Sequence, residues 1–233
     1  MANLKKEEWD ESYNRQENFI FFPKEEVVKF LNRFVRKKMG INSFRDQLKL
    51  SENAKALDLG CGIGRLTILL KEFGFDAYGV DISEVAIEQA KALSKTFGYN
   101  LDANFVRVEK IALPFEDNFF DIAICDSVLD SMEFSFAKNY LNELNRTVKN
   151  LLYLNLIASD SSDSSGAEDL LVESQHEQGT IQSFYDENRI RTLINETNFE
   201  IIQLNKNSVE NLLNNSYSVR FNVVLQKKSM NNQ

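Results

Sequence analysis

Two periodicities alternate along this chain. "KALDLG", "DAYGVDI", "ANFVRV", "FDIAICD" and "LLYLNLIAS" are short apolar runs bounded by turn residues, the pattern of strands buried on both faces. Between them, "RLTILLKEFG", the stretch from Ser83 and "AKNYLNELNRTVKN" repeat their apolar positions every three to four residues, as helices do. Gly74 ends the first of these helices, and the Ser83 hydroxyl caps the second while Glu84 favours its first turn. Upstream, Pro23 opens a helix through "KEEVVKFLNRFVRKK", with Val27, Phe30, Leu31, Phe34 and Val35 on one side and Gly40 as its stop. Downstream, "SDSSDSSGAEDLLVESQHEQGT" has little periodicity and reads as a long surface loop with a helical piece around Asp169 to Glu173. "DENRIRTLINETN" then reads as a helix, "FEIIQLNKN" as a strand, "VENLLNN" as a short helix and "YSVRFNVVLQKK" as a terminal alternating strand. Strand and helix in alternation predict an α/β architecture, a mainly parallel sheet with helices on both faces.

A chain of 233 residues with 43% hydrophobic content is long enough for one well-buried domain, and two prolines with no evident linker argue for a single one. The net charge of −8 disfavours a nucleic-acid partner, which needs a basic surface to displace counterions. The cluster at Arg33, Arg36, Lys37 and Lys38 reads as a solvated helix face. Cys61 and Cys125, both in apolar surroundings, suggest a reduced interior and supply neither a disulfide framework nor a metal site. The polar start "MANLKKEEWDESYNRQEN" and the lack of a long apolar run predict a cytoplasmic protein with no membrane partner.

"ALDLGCGIGRLTILL" carries the chemistry. Dinucleotide folds use G-x-G-x-x-G and seat a pyrophosphate on the following helix. Here Gly60, Gly62 and Gly64 are spaced G-x-G-x-G and are followed by Arg65. Asp58 directly precedes the loop, where it repels a pyrophosphate and suits a cationic ligand group. Asp81 ends the next strand, where a carboxylate can accept from both hydroxyls of a ribose.

"LDLGCGIGR", "GVDIS" and "FVRVEKIALPFEDNFFDIAICDSVLDSM", in that order, resemble the class I S-adenosylmethionine-dependent methyltransferases, over about residues 54–149 and more weakly beyond. The resemblance implies a Rossmann-like, doubly wound, seven-stranded sheet with an antiparallel C-terminal strand. It divides the domain into an N-terminal helical lid (1–50), a cofactor-binding core (51–157), a loop or cap (158–182) and a C-terminal helix and strand pair (183–233). It implies S-adenosyl-L-methionine as cofactor and S-adenosyl-L-homocysteine as product. Gly60, Cys61, Gly62, Gly64 and Arg65 would meet the amino acid part of the cofactor, with Asp58 orienting its ammonium. Asp81 would bind the ribose and Ile82 pack on adenine. Glu109 would stand where relatives place an aspartate on the adenine amino group, with Lys110 and Ile111 at the adenine edge. Cys125, Asp126 and Ser127 would line the reactive end, and Tyr13, one helical turn after Trp9, would belong to a lid or to packing. Relatives often carry a proline-glycine turn before the fifth strand, whereas this chain has "RTVKNLLYLN".

For proton removal the candidates are His176 in the acidic loop, Asp130 in "SVLDSM", which is equally suited to capping the next helix, and Tyr185 with Gln182 in "GTIQSFYDE". The function expected is methyl transfer to an oxygen or nitrogen of a small molecule. A protein or RNA acceptor, or a cofactor-binding regulator without transferase activity, remains as the alternative. The spacing and Asp58 disfavour a nicotinamide-dependent oxidoreductase.

Overall fold

The computed structural model describes residues 5–162, 164 and 166–228. Residues 1–4, 163, 165 and 229–233, which belong to the expected lid, cap loop and terminal segment, lie outside them. The N-terminal part holds helices α1 (Lys6–Asn14) and α2 (Glu25–Phe30), a π-helical turn (Leu31–Val35) and strands β1 (Arg36–Gly40) and β2 (Ser43–Asp46). The core continues with β3 (Lys55–Leu59), α3 (Arg65–Glu72), β4 (Asp76–Asp81), α4 (Glu84–Thr96), β5 (Phe105–Arg107), β6 (Phe120–Asp126), α5 (Phe134–Thr147) and β7 (Val148–Ile157). It closes with β8 (Asp169–Leu171), β9 (Ile181–Ser183), α6 (Glu187–Ile194), β10 (Phe199–Asn211) and β11 (Ser216–Lys227).

Seven strands form one sheet in the order β10-β11-β7-β6-β3-β4-β5. The strands from β7 to β5 run parallel, and β11 is antiparallel to both β7 and β10. Period-two alternation sends neighbouring residues to opposite faces. On β6, Ala123 and Cys125 join a core cluster with α5 and α6, while Ile122 and Ile124 join a second cluster with α2 and α3. Helices therefore cover both faces. The strand order reverses between β3 and β6, and in such sheets the crevice outside the strands' C-terminal ends is where ligands bind.

Ser83 caps α4 as its sequence suggests, its hydroxyl accepting from the Ala86 N–H at 3.1 Å. Four expectations need correction. The helix after Pro23 stops at a π turn, and "RKKMG" pairs with Ser43–Asp46 as a hairpin. The Arg36 guanidinium donates to the Phe73 carbonyl and the Lys38 ammonium to the Glu72 carbonyl. These cations satisfy the C-terminal end of α3 rather than lining a solvated helix face. "VENLLNN" is strand and turn: Val209 and Glu210 pair with Ser218 and Tyr217, and seven residues are too few to nucleate a helix against such a ladder. Asp169 to Leu171 form β8, paired with β9, where a helical piece was expected.

Candidate active site

The glycine loop joins β3 to α3, and Gly60, Gly62 and Gly64 all have positive φ. A Cβ on Gly60 would collide with the Val128 side chain, and one on Gly62 would lie 2.7 Å from the Tyr13 hydroxyl. The loop is tied to the next strand by Asp81, whose carboxylate accepts from the Gly62 and Ser83 N–H groups, each at 2.9 Å. Burial pushes the Asp81 carboxyl up to about 6, with those N–H groups holding it down. Beneath the loop, burial pushes Asp58 up to about 7, opposed by the Thr67 hydroxyl that donates to it at 2.8 Å.

Two adjoining cavities open here. One, of about 630 Å³, has apolar walls of Val80, Ile82, Val108, Val128 and Met132, with Asp81 and Gly60 at one end. The other, of about 1050 Å³ and partly open, is lined by the loop residues Asp58, Gly60, Cys61, Gly62 and Arg65 together with Asp126, Asp130 and Arg220. Trp9, Tyr13, Gly60, Ser127 and Ser131 border both.

The wall of the larger cavity carries a polar network built from distant parts of the chain. The Lys24 ammonium donates to Asp126 (3.0 Å), to the Ser127 hydroxyl (2.7 Å) and to Asn155 (3.4 Å). Arg220 donates to Asp130 (2.6 Å), to the same Ser127 hydroxyl (2.8 Å) and to Asn155. Arg65 reaches the other Asp126 oxygen at 3.4 Å. Ser127 is held at φ 61, a left-handed conformation that costs a serine free energy and sets its hydroxyl between the two cations. Burial lowers the Lys24 pKa, with Asp126 beside it holding it up. Asp130 is fully buried; its Oδ2 accepts from Arg220 and from the Ile157 N–H, and its Oδ1 has no hydrogen-bond partner among the described residues. Burial raises its carboxyl pKa, while Arg220 opposes the rise.

Segments α1 and 15–24 cover the site. Trp9 and Tyr13 face the cavities, and the Ser83 hydroxyl donates to Asp10 at 2.6 Å, anchoring α1 to the start of α4. Glu17 accepts from the Glu177 N–H at 3.1 Å, which joins the N-terminal segment to the connection between β8 and β9.

Of the candidates read from the sequence, Asp58, Gly60, Cys61, Gly62, Arg65, Asp81, Ile82, Asp126, Ser127, Asp130, Tyr13, His176 and Gln182 line one or both cavities. Gly64 does not; it is the left-handed start of α3, packed near Phe105. Glu109 points away, two-thirds exposed, and pairs with Arg107 at 2.9 Å; Lys110 is exposed and Ile111 packs on the core, so Val108 alone of that stretch walls the slot. Cys125 faces the α5–α6 cluster because strand alternation turns it from the cavity side. Tyr185 is buried and donates its hydroxyl to the Leu129 carbonyl, so no substrate reaches it. Asp130 does not cap α5, whose N-cap is Glu133. His176 is 60% exposed at the rim, 3.6 Å from Glu177. Sequence reasoning missed Lys24, Asn155 and Arg220. The signal for Arg220 was a cation with Asn222 at alternate positions of an otherwise apolar strand, "VRFNVVL".

This strand order, with the site at the switch point, defines a class I methyltransferase fold. A family model for a methyltransferase domain matches residues 50–198, and the chain belongs to that family, the S-adenosylmethionine-dependent methyltransferases. Among relatives, it is 35% identical over 78 residues to sterol 4-C-methyltransferase strm-1 of Caenorhabditis elegans, covering 34% of this chain and 23% of that one. The chain spans 22–41% of the length of the curated relatives it matches. In fold it is similar to an S-adenosylmethionine-dependent methyltransferase of Methanosarcina mazei, with TM-score 0.63, 23% identity, and 76% of this chain and 94% of that one covered. It is similar also to magnesium protoporphyrin IX methyltransferase of Synechocystis with bound S-adenosylhomocysteine, with TM-score 0.56, 21% identity and coverages of 76% and 74%.

The residues present fit the family's cofactor. The Asp81 carboxylate has about four acceptor positions and two are taken by N–H groups, which leaves room for a ribose diol. The apolar slot suits a purine. Asp58 and Asp126 make the loop side unsuited to a pyrophosphate and suited to an ammonium.

Proposed function

We propose that this protein transfers a methyl group from S-adenosylmethionine to an oxygen or nitrogen of a small molecule held in the larger cavity. The observation that carries this reading is Asp130 Oδ1, a buried, unpartnered carboxylate oxygen in a residue lining the cavity. When bound, the cofactor supplies an electrophilic methyl on a sulfonium whose sulfur keeps the bonding electron pair and departs neutral. This chain's residues do the rest. Asp81, Ile82 and the loop bind and orient the nucleoside and amino acid parts, and Asp58 holds the ammonium. Trp9 and Tyr13 exclude water. Asp130 Oδ1 accepts the proton that a hydroxyl or amine must lose, and the raised pKa of its carboxyl makes it a stronger base than an exposed aspartate. The covering N-terminal segment supports a small acceptor over a macromolecule.

The test is formation of S-adenosylhomocysteine from methyl-labelled cofactor across a panel of small hydroxy and amino compounds. Turnover with at least one of them, lost in Asp130→Asn, supports the reading. Transfer only to proteins or RNA contradicts it.

A further inference from the structure

The acceptor end of the site carries more cationic hydrogen-bonding capacity than its own carboxylates consume. Lys24 and Arg220 both donate to the Ser127 hydroxyl, at 2.7 and 2.8 Å, so two cationic nitrogens lie within about 5.5 Å of each other, the sum of those distances. Lys24 spends its three donors on Asp126, Ser127 and Asn155. Arg220 spends Nε and Nη2 on Asn155, Ser127 and Asp130, while its Nη1 makes no hydrogen bond among the described residues. Its side chain is 25% exposed and lines the larger cavity.

Lys24 and Arg65 both pair with Asp126, and Arg220 pairs with Asp130. Among the described residues the two N–H groups of Arg220 Nη1 remain free to donate to a carboxylate.

The glycine loop follows β3, and Arg220 sits on β11 opposite Ile157 at the end of β7. Three strand spacings of ~4.8 Å put the β11 backbone about 14 Å from β3 across the sheet, and the Arg220 guanidinium reaches back to Ser127, which borders both cavities. Ile20, half exposed, lines the larger cavity, while Phe21 packs against Phe22 and Phe97. An exposed apolar side chain on a cavity rim is a contact for an apolar ligand.

We infer that the methyl acceptor is an apolar carboxylic acid that also carries the hydroxyl or amine to be methylated, its carboxylate bound by Arg220 Nη1 beside Lys24 and its apolar body lying against Ile20; the methyl carbon bonds to that oxygen or nitrogen as its bond to sulfur breaks, the sulfur keeps the electron pair, and the proton lost goes to Asp130. This rests on the proposed methyltransferase reading and names the acceptor class for the same site. Recognition of the carboxylate comes from Arg220, and Asp130, paired to the same guanidinium, is held next to the bound acid.

The test is calorimetry of the S-adenosylhomocysteine complex with phenylacetate, phenylacetamide, phenethylamine and acetate. Phenylacetate is expected to bind at least tenfold more tightly than each of the other three. In Arg220→Gln the acid–amide preference falls below twofold while S-adenosylhomocysteine affinity stays within threefold. Because Arg220→Gln disturbs a buried network, the Arg220 Nε–H resonance of the wild type is followed as well, and it shifts on adding phenylacetate but not phenylacetamide. Equal binding of acid and amide, a preference for the amine, or an unmoved Arg220 resonance overturns the inference. So does a loss of S-adenosylhomocysteine affinity in Arg220→Gln with the preference intact, which assigns the guanidinium to the cofactor's own carboxylate. Failure of the wild type to bind S-adenosylhomocysteine at all sinks the cofactor reading instead, so the two failures are distinguishable.

Discussion

The two halves of the site are built differently. On the cofactor side, β3, the glycine loop and β4 place Asp58, Gly62 and Asp81 within 24 residues of sequence, and the bonds that hold them, such as Gly62 to Asp81, are short-range in the chain. On the acceptor side the bonds span most of the molecule. Lys24 reaches Asp126 across 102 residues, and Arg220 reaches Asp130 across 90. The first half depends on local backbone geometry that any ligand-binding relative needs. The second is a network of mutually dependent buried charges, in which removing one partner leaves another unpaired at substantial cost.

Substitutions can separate these halves. The largest effect is expected from Asp130→Asn, which should lower kcat by about 10²–10⁴-fold, the range for loss of a general base, with S-adenosylhomocysteine affinity unchanged in calorimetry. The wild type's activity should rise with pH through a value above the usual aspartate range, and that limb should vanish in the mutant. Parallel losses in cofactor affinity and turnover would merge the halves into one unit.

Next comes Asp58→Asn. The folded pKa is raised from 3.8 to about 7, so between those values the folded protein holds more protons than the unfolded chain. The contribution of Asp58 to stability is then fully present below pH 3.8 and lost as pH rises toward 7. The mutant should match the wild type near pH 4 and exceed it at pH 8 by on the order of 2–4 kcal/mol in denaturant melts. It should bind the cofactor's ammonium more weakly. Equal pH dependence in both proteins would remove Asp58 as a strained group.

Asp81→Ala should cost about 10–100-fold in S-adenosylhomocysteine affinity, the worth of charge-assisted hydrogen bonds to the ribose, as read by titration. Tyr13→Phe, which removes a hydroxyl packed over Gly62, should change that affinity by about threefold or less, because it keeps the ring that excludes water.

The same contrast explains what the sequence disclosed. Strand and helix periods revealed all seven sheet strands except the upper reach of β10, where pairing with β11 overrode the local pattern of "VENLLNN". The glycine spacing, Asp58 and Asp81 were legible because their geometry is local. Glu109 was misplaced because the side chain is drawn to Arg107, a surface ion pair that no alignment of "LPF" reveals. Tyr185 was misjudged because its partner, the Leu129 carbonyl, is 56 residues away. Arg36 and Lys38 took the form of a hairpin because the carbonyl ends of α3 needed donors, again a tertiary demand. Among the described residues no helix is long and apolar enough to cross a membrane.

The measurement that bears most directly on the central claim is titration calorimetry of the purified protein with S-adenosylmethionine, S-adenosylhomocysteine and NADH. Micromolar binding of both sulfur ligands with no heat from NADH is the predicted result. Tight NADH binding and silence toward the sulfur ligands would contradict it, because the loop beside Asp58 would then be cradling a pyrophosphate.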